Sequence, residues 1–363
     1  MPVSEYFAPN YDAARTLFRQ AAAGARAVSS SYEHPEWRDP DGKALTIDVA
    51  RLGHEQAESA LLIISGTHGV EGFCGSGCQV GILTDRLYEA LPAGACALLV
   101  HAFNPYGIAW LRRVNEDGVD LNRNFIDFRQ PLPSSKDYEA LHPVLVPGSW
   151  HGPERERADN TLRSLTKPEA LRGFQSAITA GQYTRPSGLF YGGTRPTWSA
   201  ERLADILRNE LPANARRVAV LDLHTGLGPP AYGEAIAITE SAAELVRSRR
   251  WYGPEVKDLM ADESVSAAIR GSVACGVRAA LPDREITYLG LEFGTRPMLE
   301  VLQALRADHS LSSDPHADAA ELKQARQQMR AAFYSESPAW QAAVYGRVAD
   351  FFFRASRGLA EKA

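Results

Sequence analysis

Apolar and polar positions along this chain fall into short blocks whose period switches between that of a strand and that of a helix. Residues 10–24 carry apolar side chains at helical spacing, and residues 44–52 (ALTIDVARL) alternate apolar and polar as an edge or half-buried strand does. ALLIIS at 60–65 and ALLVHAF at 97–103 are continuous apolar runs of the kind found in parallel strands covered on both faces. A helix is predicted over 76–91 between them. RVAVLDL (217–223), residues 234–239 and ITYLGLEF (286–293) supply further strands, and the tail from 316 to 358 reads as two helices. Strands separated by helical stretches predict an α/β fold: a mixed, mostly parallel twisted sheet with helices on both faces. Chemistry in such sheets gathers at the carboxyl ends of strands.

Residues 127–200 break this rhythm. They are rich in Pro, Gly and aromatics (LVPGSWHGP, TRPSGLFYGGTRPTW), with one helical piece near 155–180. The expectation is a single domain over 1–363 in which 127–200 is one long insertion, ordered by its aromatics and covering the site.

Composition narrows the class. Apolar residues make up 45% and charged residues 23%, the balance of a water-soluble globular chain. A net charge of -5 argues against a nucleic-acid binder. The four cysteines form no C-x-x-C pair, no leader peptide is read at the N-terminus, and apolar runs of about eight residues are far below the roughly 20 that span a bilayer. A cytoplasmic protein with reduced thiols and no membrane partner is expected. An assembly of identical copies is compatible with the sequence.

Two constellations carry the chemistry. Directly after ALLIIS comes GTHGVEG, where His68 and Glu71 sit on a glycine-flanked turn, and His224 follows RVAVLDL at another strand end. An isolated H-x-x-E is weak and an isolated strand-end histidine is usually a cap. Two imidazoles and a carboxylate from two strand ends, however, leave a fourth position for water, the layout of a catalytic zinc site. Asp222, two residues before His224, would share its face and orient a ligand. The second constellation, NPYGIAWLRRVNEDGVDLNRNF, packs Arg112, Arg113, Asn115, Asp120, Asn122, Arg123 and Asn124 into thirteen residues after a buried strand. Arginine's planar fork matches a carboxylate.

In this order, GTHGVEG, NPYG…RRVNEDGVDLNRNF, LDLHTG and LEFGT resemble the zinc carboxypeptidase superfamily, both its carboxypeptidase A-like enzymes and its succinylglutamate desuccinylase/aspartoacylase group. RVNEDGVDLNRNF is especially similar to bacterial carboxypeptidases that cut peptidoglycan peptides. The 127–200 stretch matches neither group and looks like a bacterial carboxypeptidase-like branch of unknown function. The resemblance implies one Zn2+ held by His68, Glu71 and His224, and a substrate carboxylate held by Asn122 and Arg123, with Arg112 adjoining. It implies Arg113 at the oxyanion and Glu292 as general base and acid. The substrate would be a small molecule or short peptide with a free carboxylate, cleaved at an amide bond. Val70 stands where digestive carboxypeptidases carry an arginine. Their mobile-loop tyrosine has four candidates here: Tyr191, Tyr232, Tyr252 and Tyr288. Both departures leave room for N-acyl-amino-acid deacylation.

Other features read mainly as structural. Cys74 and Cys78 are expected on a buried helix face and His101 in the core or beside a ligand, while Phe190, Tyr191 and Trp198 could equally line a pocket or pack their own loop. A non-catalytic binding protein on the same fold, and a hydrolase using Ser65 or Ser76 as nucleophile, are the alternatives. The latter lacks any G-x-S-x-G turn.

Overall fold

A computed structural model describes residues 2–261 and 264–361. Eight strands form one sheet in the order β1-β2-β4-β3-β5-β8-β6-β7. In chain order they are β1 (Val28–Arg38), β2 (Ala44–Gly53), β3 (Ser59–Ser65), β4 (Ala95–His101), β5 (Arg217–Pro230), β6 (Glu234–Ala237), β7 (Lys257–Asp258) and β8 (Glu285–Gly294). The central strands β4, β3, β5 and β8 run parallel, while β1 against β2, β2 against β4, and β6 against β8 are antiparallel. The predicted mixed α/β sheet is the one observed.

Side-chain alternation along the central strands feeds two cores. Leu61, Ile63, Leu99 and Leu221 join a cluster with helices Tyr11–Gly24, Gly72–Thr84 and Pro338–Leu359. Their neighbours Leu62, Ile64, Val100 and Val220 join a cluster with helices Trp198–Glu210 and Val273–Ala280 on the other face. Covering both faces is why these strands read as unbroken apolar runs.

Two expectations change. The segment 44–52 is neither at the edge nor half-buried, because β1 pairs along it and Thr46 and Asp48 are buried. Their polar atoms find partners, the Tyr11 hydroxyl at the Thr46 carbonyl and Arg15 at Asp48. The 127–200 stretch holds three helices rather than one piece: Lys136–Leu145, Pro153–Leu165 and Pro168–Thr179. Leu145, Leu162, Phe174 and Ile178 from these helices pack with Val301, Leu302 and Leu305 of helix Met298–Ser313 in a third cluster. Among the described residues, no helix is long and apolar enough to cross a membrane.

Candidate metal and carboxylate site

The turn after β3 is set by close backbone approach. Gly66 adopts φ +75, and a Cβ on Gly69 would lie 2.2 Å from the Arg112 carbonyl oxygen. That contact lets the Gly69 and Val70 amides donate to the carbonyls of Arg113 and Arg112 at 3.0 Å, which ties the histidine turn to the arginine segment. His68 then precedes a 3-10 turn, Gly69–Glu71, that brings Glu71 back to the same point. His224 lies on β5 in register with Glu292 on the parallel neighbour β8.

Ligand atoms of His68, Glu71 and His224 all fall within 4.8 Å of one another. His68 Nδ1 is 2.9 Å from Glu71 Oε1, and His224 Nδ1 is 3.2 Å from Glu71 Oε2. Bonds of about 2.1 Å at tetrahedral angles place ligand atoms roughly 3.4 Å apart, so this donor set fits a divalent ion. The outer imidazole nitrogens are held by carboxylates: His68 Nε2 lies 3.0 Å from Asp120, and His224 Nε2 lies 2.8 Å from Asp222. Asp222 also accepts from the Thr67 hydroxyl at 3.0 Å and the Tyr288 hydroxyl at 2.7 Å. Such partners fix which nitrogen faces the metal. Asp222 therefore does what its spacing suggested. Asp120 was visible only as one polar residue in a crowded segment, and nothing in its spacing marked it as the His68 partner.

The electrostatics follow from burial and pairing. Burial alone would raise the carboxyl pKa values of Glu71 and Asp120, but His68 and His224 hold the first low, and Arg113, Arg123 and His68 hold the second well below the usual range. Burial alone would lower His224, yet Asp222 and Glu71 outweigh it and raise its pKa well above the usual value. Glu292 goes the other way. Burial first, and then the charge of Glu71, push its carboxyl up to about 8, while its Oε1 accepts the Leu227 amide at 2.9 Å. A divalent cation among the three ligands would offset the Glu71 charge and draw that value down.

Arg113 pairs with Asp120, and its guanidinium lies over the Phe190 ring, 5.2 Å from the centroid. Arg123 is over the same ring at 5.6 Å and donates to the Thr179 and Asn122 carbonyls, each at 2.8 Å. Among the described residues no acceptor meets Arg123 Nη2 or Asn122 Nδ2, which leaves donors at the cavity these residues line. His68, Glu71, His224, Arg113, Asn122, Arg123 and Glu292 all line that one cavity.

Arg112 does not reach it. This arginine is buried against Asp308 of helix Met298–Ser313 at 3.0 Å, a structural ion pair in place of the substrate contact expected for it. Adjacent residues of an irregular segment point different ways, which spacing cannot resolve. None of the four candidate tyrosines lines the cavity. Tyr232 is exposed, Tyr252 packs on Phe351, Tyr288 serves Asp222, and Tyr191 is packed with its carbonyl accepting the Asp120 amide. Of the loop aromatics left open between pocket and packing, Phe190 lines the cavity, whereas Trp198 packs on His34. Cys74 and Cys78 are free and buried in the core, as expected. Glu292 makes no ion pair with Arg296 among the described residues.

A family model described as "Protein of unknown function (DUF2817)" matches residues 7–347. The chain belongs to this family. No curated protein matches this DUF2817 chain. Among solved structures it is similar to the carboxypeptidase A of Helicoverpa armigera (12% identity, 89% of this chain and 73% of that one, TM-score 0.47). It is also similar to the succinylglutamate desuccinylase of Chromobacterium violaceum (16%, 86% and 72%, TM-score 0.36) and to an aspartoacylase family protein of Mesorhizobium loti (15%, 78% and 66%, TM-score 0.37).

Proposed function

We propose that this protein is a zinc-dependent hydrolase that cleaves an amide or peptide bond next to a free carboxylate. The observation that supports the reading is the meeting of His68, Glu71 and His224 with Glu292, Arg113 and Arg123 around one cavity. His68 and His224 through Nδ1, with Glu71, would hold the metal, which when bound supplies an activated water and polarises the scissile carbonyl. Glu292 has one oxygen anchored by the Leu227 amide and the other available to take a proton from that water and pass it to the leaving nitrogen. Arg113, kept in place by Asp120, faces the charge that develops on the carbonyl oxygen. Arg123 and Asn122 receive the substrate carboxylate through their free donors.

N-acyl-amino-acid deacylation is favoured within this class by the cover. Phe174, Ile178 and Phe190 from the 127–200 segment line the cavity, whose volume is about 150 Å³. That apolar lining suits the acyl chain of a small substrate. The decisive measurement is metal content of the purified protein, with hydrolysis of N-acyl amino acids and dipeptides before and after chelation. About one zinc per chain and chelator-sensitive release of an amino acid are expected. A chain without metal in which His68→Ala leaves all behaviour unchanged would refute the reading.

A further inference from the structure

The charged groups that line the cavity are few, and each already has an assignment. His68, Glu71 and His224 form the ligand cluster, Arg113 is neutralised by Asp120, Glu292 is anchored by the Leu227 amide, and Arg123 carries the free donor. The rest of the lining holds no charged side chain among the described residues. Helix Pro168–Thr179 contributes Phe174 and Ile178, and helix Met298–Ser313 contributes Val301, Leu302 and Leu305. The sheet side contributes Ile236, Ile238 and Gly290, where even a Cβ would meet nothing nearer than 3.9 Å. The polar wall groups are uncharged: Gln175 donates to the Val265 carbonyl at 2.7 Å, closing the wall between two segments, the Thr179 and Thr225 hydroxyls donate to the Gln175 and Phe333 carbonyls, and the Ser266 hydroxyl is a neutral group with no bond to another described residue.

A second substrate charge would have to be buried on those walls without a partner, which costs far more than the contacts return. We infer that the substrate carries a single charge, the carboxylate received by Arg123, and that its other side is an uncharged apolar acyl group, aliphatic or aromatic. Dicarboxylic acyl groups such as succinyl, and dipeptides with a free ammonium, are excluded by the same walls. This rests on the hydrolase reading above and names its substrate class: N-acyl amino acids with apolar acyl chains.

The test uses the zinc-loaded full chain and one amino acid carrying acetyl, hexanoyl, decanoyl or succinyl groups. Burial of each added methylene predicts a rise in kcat/KM of about fourfold until the cavity is filled. Succinyl is expected to fall at least about 100-fold below hexanoyl. Leu302→Arg places a cation in the wall and is expected to shift the succinyl-to-hexanoyl ratio at least about tenfold toward succinyl. Calorimetric binding of decanoate and of succinate to the wild-type protein decides the matter independently of that variant's folding. Decanoate at least about tenfold tighter supports the inference, and succinate equal or tighter overturns it. Decanoate binding with no acyl amino acid hydrolysed would sink the hydrolase reading but leave the cavity's chemistry. Preferred cleavage of the succinyl substrate would do the reverse.

Discussion

Two strands flank β3, and each carries a buried histidine where it leaves the core: His101 ends β4, and His224 lies on β5. Their surroundings make them opposites. His224 stands between Asp222 and Glu71 at a cavity wall, and those carboxylates raise its pKa despite burial. His101 is stacked on Phe18 at 4.3 Å, bonded to the Ser76 hydroxyl at 2.8 Å, and has no partner for Nδ1 among the described residues. Burial wins and lowers the His101 pKa to about 4: Asp48 stands opposite it on β2 and draws the value up, but that carboxylate is bonded to Arg15 and not to the ring. A strand-end histidine is thus made a candidate ligand or a packing residue by its carboxylate partners and by access, not by its place on the strand.

The largest effects should fall on the His224 side. Glu292→Gln keeps the shape and the three ligands but removes the proton carrier. Its kcat is expected to drop about 10²–10⁴-fold with zinc content unchanged, read by steady-state kinetics beside metal analysis. Full activity in that variant would reject the base assignment.

On the His101 side the expected effect is on stability and pH. The unfolded histidine takes up a proton near pH 6.5, the folded one only near 4. Stability is therefore complete above pH 6.5 and declines as the pH falls toward 4. The gap of about 2.5 units, at 1.36 kcal/mol each, corresponds to about 3 kcal/mol. His309, also buried and lowered to about 4, adds a similar contribution. Denaturant unfolding at pH 7 and pH 4.5 should show His101→Gln losing less stability on acidification than wild type. Identical pH slopes would contradict the sealed, neutral histidine.

Asp222→Asn probes what separates the two histidines. It leaves His224 in place but removes the charge on Nε2, and metal affinity is expected to weaken about 10–100-fold in a chelator competition titration. Unchanged affinity would mean that the Asp222 contact is incidental.

Much of this contrast was legible in the residues. The strands β3, β4, β5 and β8 announce themselves because burial on both faces makes them uniformly apolar, and His68, Glu71 and His224 follow from their places at those strand ends, whereas Glu292 stands out only through the family resemblance. The edge strand β1 (VSSSYEHPEWR) was not legible, since only His34 among its residues is buried and its pattern lacks an apolar face. The separation of Arg112 from Arg113 was equally hidden. It depends on Asp308, almost two hundred residues away, and long-range pairing leaves no local periodicity. Asp120 escaped for the same reason, as its partner His68 lies 52 positions earlier.

The smallest effect is the sharpest test of the boundary between the two histidines. Ser76 and His101 share a hydrogen bond, the arrangement a serine nucleophile would need, but neither residue lines the cavity and both are buried. Ser76→Ala removes one hydroxyl and leaves His101 Nε2 as unpartnered as its Nδ1. A loss of about 1–3 kcal/mol in unfolding free energy is expected, with kcat/KM within about twofold of wild type. Retained stability would show that water or a rearrangement satisfies the ring. A collapse of activity in a fully folded variant would move the chemistry to Ser76 and overturn the metal-centred reading altogether.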